Sequence, residues 1–322
     1  MLRAHYLGID GGGSHTRALL CDASGQIIGK GLSGATNPRA TPAAELKAHL
    51  LAAIQQACAE VEIASIRAAY LGIAGCGEPV SQAATAAVAR ACLGDPEVQI
   101  TVGHDLETVL EGSLLGQPGI VLIAGTGSAC YGRNSQDQLL KCGGWGDLVD
   151  DVGSGGWMGL RALQAAVRQA DGRAPTSPLK ARVMQFLGID TMEAFSTRIH
   201  QQGLSRSQRA QLAPAIIDLA KSGDNASAQI LTEAVAELCA LAICTVQQLQ
   251  LSPPRIVLAG GLMAHPYFYG LVAKSLTTCL ANASATRPRL DAAAGAVLLA
   301  FKSVGSVAGE STIKQLEKLQ IN

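Results

Sequence analysis

The stretch LGIDGGGSHTRALL at residues 7–20 constrains the fold more than any other part of the chain. It predicts an apolar strand that ends at Asp10, a turn of three consecutive glycines, and a second apolar strand that begins near Thr16. Such a turn suits a close approach to the backbone, and phosphate is a frequent ligand of successive N–H groups. The stretch therefore predicts a β-hairpin with a phosphate-binding tip, which we call the first glycine loop.

The groups expected to bind phosphate are the glycine N–H groups and two nearby hydroxyls, with a carboxylate for hydrated Mg²⁺: Gly11, Gly12, Gly13, Ser14, Thr16 and, for the metal, Asp10. A plain hairpin turn with a chance carboxylate is the alternative, and this stretch alone does not separate the two. The Walker and dinucleotide-binding patterns both fail on glycine spacing.

A second stretch, IVLIAGTGSACYGR at residues 120–133, repeats this design. An apolar strand leads into the turn Gly125-Thr126-Gly127-Ser128, which we call the second glycine loop, and another strand follows. Two strand–turn–strand units in one chain predict a duplicated architecture with two phosphate-binding loops.

The composition argues against several classes of partner. The 322 residues are enough for two domains, and 25 basic residues balance 25 acidic ones, so nothing predicts binding to nucleic acid or a charged membrane. The nine cysteines include no C-x-x-C pair, and we expect reduced thiols packed as small hydrophobic side chains. With no basic segment before an apolar run near residue 1, we expect a cytoplasmic protein that acts on a small molecule.

The order of predicted elements is that of an α/β protein with mixed sheets flanked by helices. Three strands to Leu32 are followed by a helix from Thr41 to about Glu60, then by the strand 68–74, the helix 79–92 and the strand 98–102. Residues 156–251 should be mostly helical, including one helix over 207–221 and one over 226–251. The latter is apolar on most sides; Glu233 and Glu237 favour a buried helix over a membrane span. A strand over 254–259, helices over 266–281 and 291–302, and a polar tail without evident role over 307–322 complete the chain.

Asp105 is placed where chemistry tends to occur, at the carboxyl end of the strand 98–102 and the start of a helix. It could serve as a general base for a substrate hydroxyl, or it could simply cap the helix, and its position favours neither. His104 is expected to be a structural neighbour.

Two loops suit a sugar. Asn37 lies in a Gly-, Pro- and Asn-rich loop, where its amide could bond sugar hydroxyls, although a simple turn role is favoured from sequence alone. Trp145 lies among glycines and offers a flat face for a sugar ring. The carboxylates that follow it, Asp147, Asp150 and Asp151, could alternatively bind a cation. A third loop, Gly260-Gly261, separates a strand from a helix, and it is either the adenosine site or an ordinary turn.

Taken together, these motifs resemble the acetate and sugar kinase, actin and chaperone superfamily, and most closely the N-acetylglucosamine kinase branch grouped with the BadF, BadG, BcrA and BcrD ATPases. The resemblance is carried by GIDGGGSHT at 8–16, ATN at 35–37, GHD at 103–105, GTGS at 125–128, GGWG at 143–146, DVGSG at 151–155, AGG at 259–261 and GA at 295–296. It implies a two-lobed actin-like ATPase (ribonuclease H-like) fold with the nucleotide in the interlobe cleft. The lobes would be residues 1–118 and 119–322, with the helix near 291–302 able to return to the first lobe.

The resemblance also implies an ATP- and Mg²⁺-dependent amino-sugar kinase. Gly12, Gly13 and Thr126 would contact the phosphates, and Asp10 would face magnesium. The amino sugar would contact Asn37, Asp105, Ser128, Gly144, Trp145 and Asp151, and Asp105 would activate its 6-hydroxyl. The family's frequent homodimers lead us to expect a homodimer.

One position departs from the family pattern, because Val152 stands where the family usually has Glu. This leaves open whether the substrate is N-acetylglucosamine, glucosamine or N-acetylmuramate. A reductase-activating ATPase of the same family and a nucleotide-dependent regulator are the rival classes. The first needs paired cluster cysteines that the sequence does not display, and the second is disfavoured by Asp105 and the sugar-like loops.

Overall fold

The computed structural model describes residues 4–318. Its strands are β1 (His5–Gly11), β2 (Thr16–Asp22), β3 (Ile27–Ser33), β4 (Ile66–Ile73), β5 (Gln99–His104), β6 (Gly119–Ala124), β7 (Ser128–Arg133), β8 (Leu139–Gly143), β9 (Arg255–Ala259) and β10 (Ser284–Thr286). Its α-helices are α1 (Ala43–Ala57), α2 (Pro79–Leu93), α3 (Asp105–Leu114), α4 (Gly155–Ala170), α5 (Pro178–Leu187), α6 (Glu193–Gln202), α7 (Arg206–Ala210), α8 (Ala213–Lys221), α9 (Asn225–Gln248), α10 (Pro266–Cys279), α11 (Ala292–Ser303) and α12 (Glu310–Glu317).

These elements form two compact units. The first unit contains residues 4–117 together with 288–318, and the second contains Pro118–Arg287. The C-terminal helices α11 and α12 therefore belong to the first unit, although they follow the second in sequence.

The first unit is built on a five-stranded mixed sheet with the order β3-β2-β1-β4-β5. β1, β2 and β3 are antiparallel, and β4 and β5 run parallel to β1. Gly11 pairs with Thr16, so residues 12–15 form the turn between β1 and β2. The predicted glycine hairpin is confirmed.

Helix α11 packs closely on β1 and α3, and glycines permit this approach. A Cβ on Gly8 would lie 2.3 Å from the backbone nitrogen of Val297, and a Cβ on Gly295 would lie 2.0 Å from the carbonyl oxygen of Thr108. Leu298 and Phe301 continue the buried face of α11, and the Phe301 ring stacks on Tyr6 with 3.7 Å between centroids. This helix closes one side of the first sheet.

We expect Gly295→Ala to destabilise the protein by about 1–3 kcal/mol, because a methyl group there overlaps a backbone carbonyl that cannot simply rotate away. Gly270→Ala is the matched control, since Gly270 is also helical but has no atom within 4 Å of a built Cβ. The control should gain up to about 1 kcal/mol from helix propensity. Urea unfolding measures both, and equal behaviour of the two variants would contradict the close packing.

The C-terminal segment has a structural role that the sequence did not indicate. Thr312 and Leu316 of α12 are buried, and the Thr312 hydroxyl donates to the carbonyl of Ser24 at 3.0 Å. The prediction of a polar tail without a role is therefore wrong for 307–318, because α12 covers the β2–β3 turn. Residues 319–322 of that prediction lie outside the described residues.

The second unit repeats the layout of the first. Its sheet has the order β10-β9-β6-β7-β8. β6, β7 and β8 are antiparallel, β9 runs parallel to β6, and β10 runs parallel to β9. In each sheet a glycine loop joins the first two strands of the unit. The predicted duplication of the architecture is confirmed.

The long apolar helix α9 forms part of the second unit's core. It is the one helix in residues 4–318 long and apolar enough to cross a membrane, but half of its apolar window is buried within the protein. Leu238 and Ala242 of α9 pack in one core cluster with Leu122 of β6. The prediction of a buried helix over 226–251 is confirmed in its placement.

One predicted helix is divided in the structure. The single helix expected over 207–221 is two helices, because α7 ends at Ala210 and α8 begins at Ala213, with Pro214 in its first turn. The short edge strand β10 was not predicted. All nine cysteines are free, and six of them are buried, which agrees with their predicted packing as small hydrophobic side chains.

Candidate active site

Three parallel strands of the first unit end at the same edge of the sheet. Gly11 of β1 pairs with Ile73 of β4, and Ile73 pairs with His104 of β5. The first glycine loop, residues 74–78 and Asp105 follow these strand ends directly. Ligands of α/β sheets tend to bind at such an edge, and the structure brings several predicted residues of the first unit to it.

Asp105 is the first residue of α3 and not its cap. His104 is the N-cap, and its Nδ1 accepts the backbone N–H of Leu106 at 3.1 Å, while Glu107 accepts the N–H of His104 at 3.0 Å. The alternative that Asp105 serves to cap the helix is therefore wrong. The hydroxyl of Tyr70 donates a hydrogen bond to the Glu107 carboxylate at 2.8 Å, which helps to fix the start of the helix.

The carboxylate of Asp105 retains unused acceptor capacity. Its Oδ1 lies 2.6 Å from Nδ1 of His104, the ring nitrogen that is also 3.1 Å from the backbone nitrogen of Leu106. Among residues 4–318, this buried Oδ1 has no hydrogen-bond donor, whereas the side chain as a whole is 30% exposed. A bound hydroxyl cannot reach the buried Oδ1, but it can reach the exposed part of the carboxylate and transfer a proton there.

Asp10 lies in β1 opposite Arg17 of β2, as the hairpin register requires. The Arg17 guanidinium donates to Asp10 at 2.8 Å and to Asp291 at 3.1 Å, and Asp291 in turn caps α11 at the N–H of Ala294. Burial raises the pKa of the Asp10 carboxyl above its usual range; Arg17 opposes this effect, and the negative charges of Asp105 and Asp291 add to it.

The residues of the first glycine loop divide into buried and exposed members. Thr16 is buried, and its hydroxyl donates to the carbonyl of Gly34 at 2.7 Å and lies 2.8 Å from that of Thr36. A Cβ on Gly11 would lie 2.2 Å from the Thr36 hydroxyl, so packing requires this glycine. In contrast, Gly13 and Ser14 are exposed, and a Cβ on Gly13 would meet nothing within 4 Å. The exposed tip is the part of the loop that a ligand can reach.

Asn37 lies close to the same edge. Its Oδ1 accepts the N–H of Arg39 at 2.9 Å, and its backbone carbonyl accepts the N–H groups of Ala40 and Thr41. The turn role is therefore confirmed. A Cβ on Gly75 would lie 2.4 Å from Oδ1 of Asn37, which places Asn37 beside the loop after β4.

In the second unit, the two predicted nucleotide loops are neighbours. β6 and β9 are parallel and end together, with Ile123 paired to Ala259. A Cβ on Gly125 would lie 3.6 Å from the backbone nitrogen of Gly261, and a Cβ on Gly260 would lie 2.4 Å from the carbonyl of Ala124. Gly260 also has a φ of +96°, which favours glycine. The structure brings together Gly125 and the Gly260-Gly261 turn, as one nucleotide site requires.

The amino end of α4 packs on the second glycine loop. The N–H groups of Gly155 and Gly156 donate to the carbonyls of Gly125 and Thr126 at 2.8 and 3.2 Å. The N-cap of this helix is Ser154, whose hydroxyl accepts the N–H of Trp157. These bonds hold the backbone of the loop, while Gly125, Thr126 and Gly127 remain partly accessible.

Trp145 is presented by a glycine-rich loop after β8. Gly143, Gly144 and Gly146 have φ values of +76°, +72° and +102°, a conformation that explains their glycine identity. The indole is 77% exposed, with the ammonium of Lys141 5.5 Å from its centroid. An accessible aromatic face is what the sugar-binding hypothesis requires of this residue.

The carboxylates after Trp145 are bonded to protein donors. Asp147 pairs with Arg209, Asp150 accepts the N–H of Trp145 at 3.1 Å, and Asp151 pairs with Arg206. Asp151 is buried, and it also accepts the N–H of Ser128 at 3.2 Å, while the Ser128 hydroxyl donates to the carbonyl of Val152. These contacts argue against a cation site in this segment and tie Asp151 to Ser128, the last residue of the second glycine loop.

Magnesium is implied by the predicted chemistry, and Asp10 fits it as a carboxylate oxygen donor with two further carboxylates nearby. Residues 4–318 contain no cluster of three His, Cys, Asp or Glu side chains able to form a metal cage. Mg²⁺ commonly keeps several waters and uses only one or two protein carboxylates, so this arrangement suits a hydrated ion.

Sequence reasoning missed Arg17, Asp291 and Arg206. Arg17 could have been found from the hairpin, because a turn over residues 12–15 sets position 17 opposite position 10. Asp291 stands directly before an Ala-rich helix, which is an N-cap signal. Arg206 lies far from Asp151 in sequence, and no local pattern connects them.

Comparison with known proteins supports this picture. A model of the BadF/BadG/BcrA/BcrD ATPase family matches residues 7–300. The chain is 29% identical to the N-acetylmuramic acid/N-acetylglucosamine kinase of Clostridium acetobutylicum over 92% of this chain and 98% of that protein. It is 30% identical to the glucosamine kinase GspK of Vibrio cholerae over 73% of this chain and 78% of that protein.

Solved structures agree with the fold. A candidate N-acetylglucosamine kinase from Chromobacterium violaceum has a TM-score of 0.73 and 29% identity, covering 92% of this chain and 98% of its own. A ROK hexokinase from Thermus thermophilus has a TM-score of 0.58 at 14% identity over 94% and 99%, which concerns the fold alone. The predicted fold class, with two mixed sheets each flanked by helices, is confirmed, as is the predicted resemblance. The chain belongs to the BadF/BadG/BcrA/BcrD ATPase family.

Proposed function

We propose that this protein is an ATP-dependent kinase of the 6-hydroxyl of an amino sugar, with Asp105 as the general base. The observation that carries the proposal is the Asp105 carboxylate, whose side chain is 30% exposed at the sheet edge that also bears Asp10, Asn37 and the first glycine loop. Relatives named as N-acetylglucosamine, N-acetylmuramic acid and glucosamine kinases support the substrate class.

In the first unit, the proposed roles follow from position. The exposed N–H of Gly13 and the hydroxyl of Ser14 donate to phosphate oxygens, and Gly12, whose own N–H donates to the carbonyl of His15 at 2.9 Å, lies beside them against the phosphate. Asp10 would hold hydrated Mg²⁺, which when bound neutralises charge on the phosphates. The Asn37 amide nitrogen donates to a sugar hydroxyl while Oδ1 remains in its turn.

In the second unit, Gly125, Thr126 and Gly127 line the phosphate side of the nucleotide, and Gly260 and Gly261 allow the adenosine to approach the backbone. Trp145 and Gly144 face the sugar, with Ser128 and Asp151 supporting that contact. Gly11 and Thr16 act in this scheme by shaping the first glycine loop, since both are buried.

In the proposed reaction, the proton of the sugar hydroxyl moves to Asp105. As the sugar O6 attacks the γ-phosphorus, its O–H bond breaks and the proton moves to the Asp105 carboxylate, while the bond from the γ-phosphorus to the β–γ bridging oxygen breaks and ADP leaves. Removal of the proton prevents positive charge from building up on the attacking oxygen. A positioned acid or base of this kind contributes about 10²–10⁴-fold in rate.

The test is a coupled assay of ADP release with N-acetylglucosamine, glucosamine, N-acetylmuramate and glucose. We expect sugar-dependent ADP with at least one amino sugar at a rate well above that with glucose, and a 6-phosphate product by mass and NMR. ADP release that no sugar stimulates would exclude the kinase. Sedimentation of the same preparation tests the homodimer, and cell fractionation tests the cytoplasmic location, which are both part of the proposal.

A further inference from the structure

Arg206 lies against the second glycine loop with part of its guanidinium unused. Its Nη1 donates to the buried carboxylate of Asp151, and the same nitrogen lies 3.1 Å from where a Cβ on Gly127 would be. The Arg206 side chain is 40% exposed, whereas that of Asp151 is only 4% exposed. In the part of the chain that the structure describes, Nη2 and Nε of Arg206 have no hydrogen-bond partner.

The backbone around Arg206 is held in place by close helix packing. Helix α7 lies on a glycine face of α4, where a Cβ on Gly156 would lie 2.6 Å from Cγ of Arg206 and a Cβ on Gly159 would lie 2.1 Å from the carbonyl of Arg209. Ser205 and Gln208 form a capping box that fixes the start of α7. The guanidinium is therefore pre-organised, so little entropy is lost when it binds a ligand.

Asp151 links Arg206 to the loop. One carboxylate oxygen accepts the N–H of Ser128 and the other accepts Nη1 of Arg206. Asp151 has a φ of +56°, a conformation that Asp tolerates better than most residues. A buried carboxylate such as Asp151 needs a cation beside it. It uses only part of the planar guanidinium of Arg206, which carries five N–H donors.

We propose that Arg206 binds an oxyanion at the second glycine loop through the guanidinium donors that Asp151 does not use. Its forked geometry suits two neighbouring oxygens of one phosphate or carboxylate group. This inference rests on the proposed kinase function, within which two ligands present such a group. They are the phosphate chain of the nucleotide and the carboxylate of an acidic amino sugar such as N-acetylmuramate.

The first experiment measures ADP binding by calorimetry, without sugar, for the wild type, Arg206→Gln and Arg206→Lys. If the nucleotide is the ligand, Arg206→Gln weakens ADP binding by at least about tenfold, which is the effect of one lost hydrogen bond to a charged group. Arg206→Lys keeps the positive charge but loses the forked geometry, so its ADP affinity should lie between those of the wild type and Arg206→Gln. Arg209→Gln is the matched control, since it also loses an ion pair of α7, with Asp147, and should bind ADP normally.

The second experiment repeats the titrations with two sugars. If the acidic sugar is the ligand, Arg206→Gln weakens N-acetylmuramate binding by at least about tenfold and leaves N-acetylglucosamine and ADP unchanged. The inference is overturned if neither anionic probe is weakened, or if neutral N-acetylglucosamine loses as much affinity as the anions do. The latter result would mean that the substitution only damages the loop.

A double variant separates binding from structural support. Arg206→Gln alone leaves the buried Asp151 without its cation and should lower the melting temperature. Adding Asp151→Asn removes that charge and should restore much of the melting temperature without restoring anion binding. Recovery of anion affinity together with stability would show that Arg206 serves only Asp151, and would reject the inference.

These results are distinguishable from failure of the proposed function. Binding of ADP and of sugars is measured without turnover, so the inference can fail in a wild-type protein that still releases sugar-dependent ADP. Conversely, a wild type that releases no sugar-dependent ADP rejects the kinase whatever the affinities of the Arg206 variants.

Discussion

Asp105→Asn should lower kcat by about 10²–10⁴-fold while leaving the affinities for nucleotide and sugar within a few-fold of the wild type. Asparagine has the shape of aspartate, so it can keep the contacts at the start of α3, but it cannot take the proton of the sugar hydroxyl. The coupled ADP assay gives kcat and KM, and calorimetry gives the two affinities. Loss of kcat with retained binding identifies a group that acts in the transition state.

The matched control for this substitution is Glu78→Gln. Glu78 is a 73% exposed carboxylate that follows β4 at the same sheet edge and pairs with Arg39 at 3.4 Å. Its replacement removes a similar charge from a similar region, and turnover should change little. An Asp105→Asn variant that retains more than about a tenth of wild-type kcat would be incompatible with general-base catalysis of the expected size.

Asp10→Asn should lower turnover by at least about 100-fold, because electrostatic stabilisation by a bound metal ion is worth several kcal/mol. The same substitution should raise the melting temperature at neutral pH. Burial holds the pKa of Asp10 above its usual range, so ionisation of this carboxyl group lowers the stability of the folded state, despite Arg17. Active sites commonly contain residues that function requires and that lower the stability of the folded protein.

The stability difference between Asp10→Asn and the wild type should depend on pH. Below the unfolded pKa, Asp10 is protonated in both states and contributes nothing to stability. As pH rises through the raised folded pKa, the wild type loses stability, so the gain of Asp10→Asn should grow across that range and then level off. Asp137→Asn, on an exposed side chain, is the control and should not show this gain. If Asp10→Asn is less stable than wild type at every pH, the Arg17 ion pair outweighs burial.

The sequence predicted the elements that local chemistry specifies. The glycine hairpin and the strand that leads to Asp105 both carry strong local signals, since glycine and apolar runs act within a few residues. The same applies to the Gly260-Gly261 turn, because a glycine pair between an apolar strand and a helix is itself a local turn signal.

Contacts that join distant parts of the chain were beyond such reasoning. Asp151 was predicted to hold the sugar, and that remains a prediction, but its pairing with Arg206 depends on how α7 packs on α4. Likewise, α12 looks like a polar tail because it buries only Thr312 and Leu316, and its partner is a turn almost three hundred residues away. His104 has the capping role that the sequence offered to Asp105, because the strand continues two residues further than expected.

The placement of α11 has a consequence for how this protein is made. The first unit needs residues 292–303 to cover its sheet, and these are synthesised only after the whole of the second unit. At ribosomal speeds this delay is about ten to thirty seconds, during which β1 and β4 expose apolar surface on the nascent chain. We therefore expect chaperones in the cell to bind the amino-terminal third of the nascent chain. A stop codon placed just before α11 should yield a product that aggregates.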